Sequence, residues 1–195
     1  MRIAISLRQD ADKYGAERSI LEDAYSDYLQ RLGVMLFPVS NSTSDVSLYL
    51  QKVQIEGIIL SGGNDVDPLM YGSRRTEGLS LALKRDRIEK AMLEYAVSHH
   101  LPVLGVCRGM QFINAYFGGK IIDFREKGIC HPAGKEHPHS VIIMQNQESL
   151  GKEAKVNSYH NQGLTEKELS SQLRAFAVSA EGIVEGFYYP SLPIV

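Results

Sequence analysis

Residues 101–119 read LPVLGVCRGMQFINAYFGG. A short apolar run, PVLGV, passes into Cys107-Arg108-Gly109, and a helical pattern then continues to a stop at Gly118-Gly119. Glycine and cysteine are poor material where a buried strand wants branched apolar residues. The spacing instead predicts a Gly-x-Cys-x-Gly strand-to-helix junction, the thiol counterpart of a nucleophile elbow. A turn that sharp holds its central residue in a sparsely populated backbone conformation. Gly105 and Gly109 remove side chains that would clash across the bend. The junction lifts the sulfur over the carboxyl edge of the sheet, where open α/β folds bind ligands. It also sits at a helix N-terminus, whose partial positive charge favours thiolate over thiol. An isolated free cysteine is more often a small inert core residue. Both glycines, the strand before and the helix after make Cys107 the candidate nucleophile, with the N–H of Arg108 aimed at an oxyanion. Cys130, in GICHP, has no such frame and reads as structural.

Outward from this junction, β-branched runs alternate with helical stretches. Residues 3–7 (IAISL), 34–39 (VMLFPV), 57–61 (GIILS) and 102–106 (PVLGV) read as strands. Residues 17–32 put Ile20, Leu21, Ala24, Tyr28 and Leu32 at helical spacing, closed by Gly33. Residues 44–53, 84–99 and 108–117 also read as helices, the second with Ile88, Ala91, Met92, Tyr95 and Ala96 on one face. This order predicts an α/β fold around a parallel, doubly wound sheet. From Ser140 onward SVIIM, RAFAVSA and GIVEGFYY predict an antiparallel extension, and LPIV reads as the first half of one more strand.

The chain has 195 residues, which fits a single domain over 1–195 with room for a core. Hydrophobic residues make up 44% and charged residues 23%, the balance of a soluble globular protein. A net charge of −2, with no Lys/Arg cluster interleaved with aromatics, argues against a nucleic-acid partner. Met1 and Arg2 lead into an apolar stretch too short for a signal peptide. No run approaches the roughly 18 residues of a membrane span. Two cysteines without a Cys-x-x-Cys pattern argue against a disulfide framework, so the expected location is the cytoplasm.

A thiol nucleophile needs a base. VNSYHNQG, residues 156–163, offers His160 in a polar, Gly-terminated segment. The other histidines are His99 and His100 at a helix end, and His131, His137 and His139 in CHPAGKEHPH. That cluster fits no standard zinc spacing, and its prolines predict a solvated loop, so no metal is expected. In SGGNDVDP the backbone of Gly62 and Gly63 lies open after the third strand, a candidate second oxyanion donor. The long irregular stretch over residues 64–82 reads as a lid or binding loop.

Taken together, SGGNDVDPLMYG, KRDRIEKAMLEYA, LPVLGVCRGMQFINAYFGG, VNSYHNQG and AEGIVEGF resemble, in order, the class I glutamine amidotransferase-like superfamily. Within it they look most like the γ-glutamyl hydrolase branch, which includes γ-glutamyl-γ-aminobutyrate hydrolases. The resemblance implies a flavodoxin-like three-layer α/β/α sandwich and a Cys–His–Glu triad. By the same matching Cys107 is the nucleophile and His160 the histidine. The N–H groups of Arg108 and of Gly63 or Gly62 form the oxyanion hole, and Gln111 holds the glutamyl portion. Arg85, Asp86 and Glu89 match an Arg-Asp-x-x-Glu stretch that we read as helix-capping and ion-pair structure. The resemblance departs at the end: the family's triad acid lies in a His-Pro-Glu after the last strand. The expectation is that the segment lies beyond Val195, because LPIV ends mid-strand with backbone groups that need partners. The alternative is a protein without the orienting carboxylate, and Glu181 and Glu185 do not match it. The implied activity is hydrolysis of a small-molecule γ-glutamyl amide without a cofactor. The alternatives are a glutaminase subunit passing ammonia to a synthetase partner, and a redox-sensing member of the same fold. The superfamily contains both monomers and homodimers.

Overall fold

The computed structural model describes residues 1–131, 134–144 and 152–195, with side chains for all of these but 134–137. Its backbone groups into two units, Met1–Ile113 with Leu192–Ile194, and Asn114–Ser191 with Val195.

The first unit opens with strand β1 (Arg2–Ser6), then β2 (Arg8–Ala11), β3 (Glu17–Ile20) and helix α1 (Asp23–Arg31). Strand β4 (Met35–Val39), helix α2 (Val46–Val53), strand β5 (Gly57–Leu60) and a 3-10 turn at Pro68–Tyr71 follow. Helix α3 (Leu83–His99), strand β6 (Val103–Gly105) and helix α4 (Arg108–Tyr116) complete it, the division between units falling inside α4. The four core strands are parallel in the order β4-β1-β5-β6, as the alternating pattern predicts. Residue alternation sorts their faces. Ile3, Ile5 and Ile59 join Val34 and pack against Leu21 and against Tyr25 and Leu29 of α1. The opposite face carries Ser6, which hydrogen-bonds to Glu89 of α3, and α2 packs on α3. Helices therefore cover both faces of a parallel sheet, and β5 is buried along its whole length. Ile194 forms an isolated parallel bridge beside Val103 of β6, whose N–H donates to the Pro193 carbonyl at 2.9 Å.

One expected helix is corrected. Residues 17–32 are not a single helix: Glu17–Ile20 pairs antiparallel with Arg8–Ala11, and the helix begins only at Asp23. The cause is the turn between these strands. Asp12 accepts from the N–H groups of Tyr14 and Ala16 at 2.8 and 2.9 Å, and Gly15 sits at φ +83°. Those N–H groups hold the Asp12 carboxyl below its usual range. A turn this well satisfied fixes a hairpin and overrides a helical hydrophobic pattern.

The second unit adds β7 (Ile122–Asp123), β8 (Gly134–Ile143), β9 (Glu153–Ser158), β10 (Gln162–Gly163), β11 (Arg174–Ser179) and β12 (Val184–Tyr188). β7 pairs with β10, and an antiparallel sheet runs β12-β11-β8-β9, the predicted extension. Ala177, Val141, Val184 and Phe187 are buried within it. No helix among the described residues is long and apolar enough to cross a membrane.

Candidate active site

β6 ends at Gly105, and α4 begins one residue after Cys107, which stands at φ +52° with its side chain exposed. Left-handed backbone at a non-glycine residue is strained, and such strain gathers at functional positions. The surrounding hydrogen bonds enforce it. Val106 N–H donates to the Leu60 carbonyl of β5, Gly109 N–H to the Val106 carbonyl, and Gln111 N–H to the Cys107 carbonyl. A Cβ on Gly105 would lie 2.7 Å from Met110 N, and one on Gly109 only 2.0 Å from the Leu60 carbonyl oxygen. Gly109→Ala must therefore displace the very carbonyl that anchors the elbow. We expect it to destabilise the fold by roughly 3 kcal/mol, the upper end for overpacking. Urea unfolding of the variant checks this, and an unchanged midpoint would remove the argument for the close approach.

Gly62 and Gly63 follow β5 beside the elbow: a Cβ on Gly62 would lie 3.8 Å from the Cys107 Cβ. The Gly62 N–H donates to the Tyr25 hydroxyl at 3.0 Å. Gly63 has φ +120°, and a Cβ there would meet Arg8 and Arg85 side-chain atoms at 2.9 Å. Burial pushes the Tyr25 phenol up, and Cys107 adds to that. Helical spacing picks out Tyr28, which is exposed, and passes over Tyr25. Gln111 is buried on the first turn of α4.

Behind the elbow lies a buried ionic network. Arg108 donates to both Glu89 and Asp86, and Arg85 donates to Glu89 at 2.8 Å and to the Ser61 carbonyl at 2.5 Å. Ser6 donates to Glu89 at 2.7 Å. Asp86 also accepts from the N–H of Asp67 at 3.3 Å, which ties the 64–82 segment to α3. Both guanidinium groups and the Glu89 carboxylate are essentially inaccessible to solvent. Of the helix-capping and ion-pair reading of Arg85, Asp86 and Glu89, the ion pairs are present, with the Arg108 side chain as a further member, whereas α3 has no side-chain cap at its N-terminus.

The second unit assembles a different cluster. His160 lies between β9 and β10, and its Nδ1 is 2.9 Å from the Gln162 carbonyl. Its Nε2 faces Glu185 Oε2 of β12 at 3.9 Å. His131 Nε2 and His139 Nε2 lie 3.3 and 3.6 Å from Glu185 Oε1. Phe124 sets its ring edge-on to His131 and His160. Burial pushes the His131 imidazole down, with His160 and His139 adding to it. Burial raises the Glu185 carboxyl, while His160 and His139 counter this. Donor atoms of His131, His160 and Glu185 all lie within 4.8 Å of one another. His99 stacks on Tyr95 and His100 caps α3, the helix-end roles that their sequence position predicts. The His137 side chain and residues 132–133 of the CHPAGKEHPH stretch lie outside what the structure describes.

Comparison with known proteins finds the peptidase C26 family matching residues 3–195. A glutamine amidotransferase-like protein, YvdE, of Lactococcus lactis is 35% identical over 179 residues, covering 86% of this chain and 74% of its own. A γ-glutamyl-CDP-amidate hydrolase of Campylobacter jejuni is 31% identical over 144 residues, covering 73% of this chain and 59% of its own. The solved glutamine amidotransferase of Thermotoga maritima superposes with a TM-score of 0.67 at 13% identity, over 99% of this chain and 72% of its own. At that identity the likeness is one of fold.

Proposed function

Since the chain belongs to the peptidase C26 family, we propose that it is a cysteine hydrolase cleaving the γ-glutamyl amide of a small metabolite, with release of glutamate and an amine. The observation that carries this reading is Cys107, an exposed thiol strained to φ +52° between two glycines with no room for a Cβ. Support for a γ-glutamyl group comes from the relative named as a γ-glutamyl-CDP-amidate hydrolase.

In this reading the Cys107 thiolate attacks the γ-carbonyl carbon and charge collects on the carbonyl oxygen. The N–H groups of Arg108 and Gly63 receive that charge. Gly63 is the better of the two glycines, because Gly62 already donates to Tyr25. His160 passes the thiol proton to the departing amine, leaving a γ-glutamyl thioester. It then takes a proton from the water that attacks the thioester, and returns it to the sulfur. Gln111 holds the glutamyl portion. These steps call for no cofactor, and a nucleophilic thiol suits a reducing compartment.

The test is intact-mass spectrometry after brief mixing with a panel of γ-glutamyl amides, glutamine included. A glutamyl adduct on Cys107 with free glutamate accumulating is expected, and its rate ranks the leaving amines. An unmodified mass with no glutamate from any amide overturns the reading. Glutamate from glutamine alone, and only with a second protein present, would favour an ammonia-supplying subunit. His160→Ala is expected to lower turnover by about 10²–10⁴-fold, the range for a lost general base. Undiminished turnover would place the base elsewhere.

A further inference from the structure

We propose that His131, His160 and Glu185, with His139 beside them, form a binding site for a zinc-class divalent cation. A backbone carbonyl can only accept, so the 2.9 Å contact of His160 Nδ1 with the Gln162 carbonyl puts the ring proton on Nδ1. In the neutral ring the lone pair is then left on Nε2, which stands 3.9 Å from Glu185 Oε2. His139 is only 9% exposed, and neither of its ring nitrogens makes a hydrogen bond among the described residues. Its Nε2 stands 3.6 Å from Glu185 Oε1, too far for one. His131 Nδ1 and Glu185 Oε1 are likewise buried without a hydrogen bond. Each orphaned buried polar atom costs about 1–3 kcal/mol, and two of these four, His139 Nε2 and Glu185 Oε1, face each other within the cluster and call for a common partner.

The carboxylate-to-imidazole distances are close to those around a tetrahedral ion, and the donors of His131, His160 and Glu185, all within 4.8 Å of one another, would draw inward on binding. Ligand bonds of about 2.0–2.2 Å set neighbouring donors roughly 3.4 Å apart. The His131–Glu185, His139–Glu185 and His160–Glu185 separations are 3.3, 3.6 and 3.9 Å. Imidazole-rich donors select zinc-like ions over magnesium and calcium, which demand oxygen. Supporting contacts are already in place: the Gln162 carbonyl orients His160, and Glu181 Oε2 stands 3.8 Å from His131 Nδ1. The Ser158 hydroxyl, 3.0 Å from His131 Nε2, has to turn aside when that nitrogen ligates. The consequence for turnover rests on the assignment of His160 as base: a ligated Nε2 accepts no proton, so the bound ion lowers glutamate release.

The experiment is a Zn²⁺ titration of the chelator-stripped full chain by calorimetry, repeated with Co²⁺ to read the ligand field by visible absorption. One ion per chain, a tetrahedral cobalt spectrum and a Zn²⁺-dependent rise in melting temperature are expected. Glu185→Gln and His131→Ala should each weaken binding by about 10–100-fold, and His99→Ala should leave it unchanged. Absence of binding, or binding indifferent to both cluster variants, overturns the site. Should those variants fail to fold, an octahedral all-oxygen cobalt spectrum of the unaltered chain overturns it equally. None of these readouts uses substrate, so the site and the hydrolase reading can fail separately.

Discussion

Cys107→Ala is expected to abolish glutamate release from every γ-glutamyl amide, by a factor on the order of 10⁵–10⁶, the scale on which a covalent enzyme loses its nucleophile. Cys107→Ser should fall almost as far, because a serine hydroxyl is far harder to ionise at the same helix N-terminus. The same position makes an opposite prediction for stability. Alanine keeps a Cβ in the left-handed conformation at φ +52°, and glycine does not. Cys107→Gly should therefore be more stable than Cys107→Ala by about 1 kcal/mol, the size of the left-handed penalty. Denaturant unfolding of the two inactive variants measures it. A residue that is worth most to turnover, yet whose backbone is relaxed by its removal, is one kept for chemistry. If alanine proves as stable as glycine, the strain argument fails. If alanine remains active, the nucleophile is elsewhere.

The elbow was legible because its constraint is local. Two glycines flank a cysteine at the end of an apolar run, and each is explained by an atom met within a few residues or on the neighbouring strand: Met110 N for Gly105, the Leu60 carbonyl for Gly109. The parallel sheet was legible for a similar reason, since GIIL is buried at every position and carries no polar face. The Arg8–Ala11 and Glu17–Ile20 hairpin was not. Its signal lay in the Asp12 turn, outside the window whose hydrophobic spacing read as helix. The buried network was half legible. Arg85, Asp86 and Glu89 announce ion pairs on α3, but their burial depends on Arg108, which lies on another helix.

The histidine cluster was legible only in part. CHPAGKEHPH offers His131 and His139, but its spacing fits no standard zinc pattern and its prolines predict a solvated loop. Gly134–Ile143 instead forms β8, and His139 is buried. Zinc spacings recognised in sequence come from ligands on one hairpin or helix. Here His131 follows β7, His139 lies in β8, His160 in the β9–β10 connection and Glu185 in β12. Antiparallel pairing of β8 with β9 and β11, and of β11 with β12, is what gathers them. Glu185 matches no triad-acid motif in the sequence. Its value comes from facing three imidazoles, a property of sheet register alone.

Glu89→Ala should lower the stability of the fold by about 3–5 kcal/mol, the cost of leaving a buried charge without its partner. For a chain of this size that corresponds to a melting temperature lower by roughly 6–20 °C. The network is expensive to build: burial drives the Arg108 guanidinium down to about 9 and Arg85 to about 10. Two buried cations and two carboxylates balance, and among the described residues Glu89 is the carboxylate that hydrogen-bonds to both arginines. Its loss leaves Asp86 to serve Arg108, and deprives Arg85 of its carboxylate. Glu89→Gln keeps the shape and one acceptor, so it should fall between alanine and the unaltered chain. Activity should fall with stability, because Arg85 holds the Ser61 carbonyl one residue before Gly62, and Arg108 follows Cys107. A melting temperature unmoved by Glu89→Ala would mean that the sheet edge holds its shape without these charges. The elbow would then owe its geometry to the glycines and backbone hydrogen bonds alone. An intermediate glutamine variant with lowered turnover would instead tie the buried charges to the placement of the thiol.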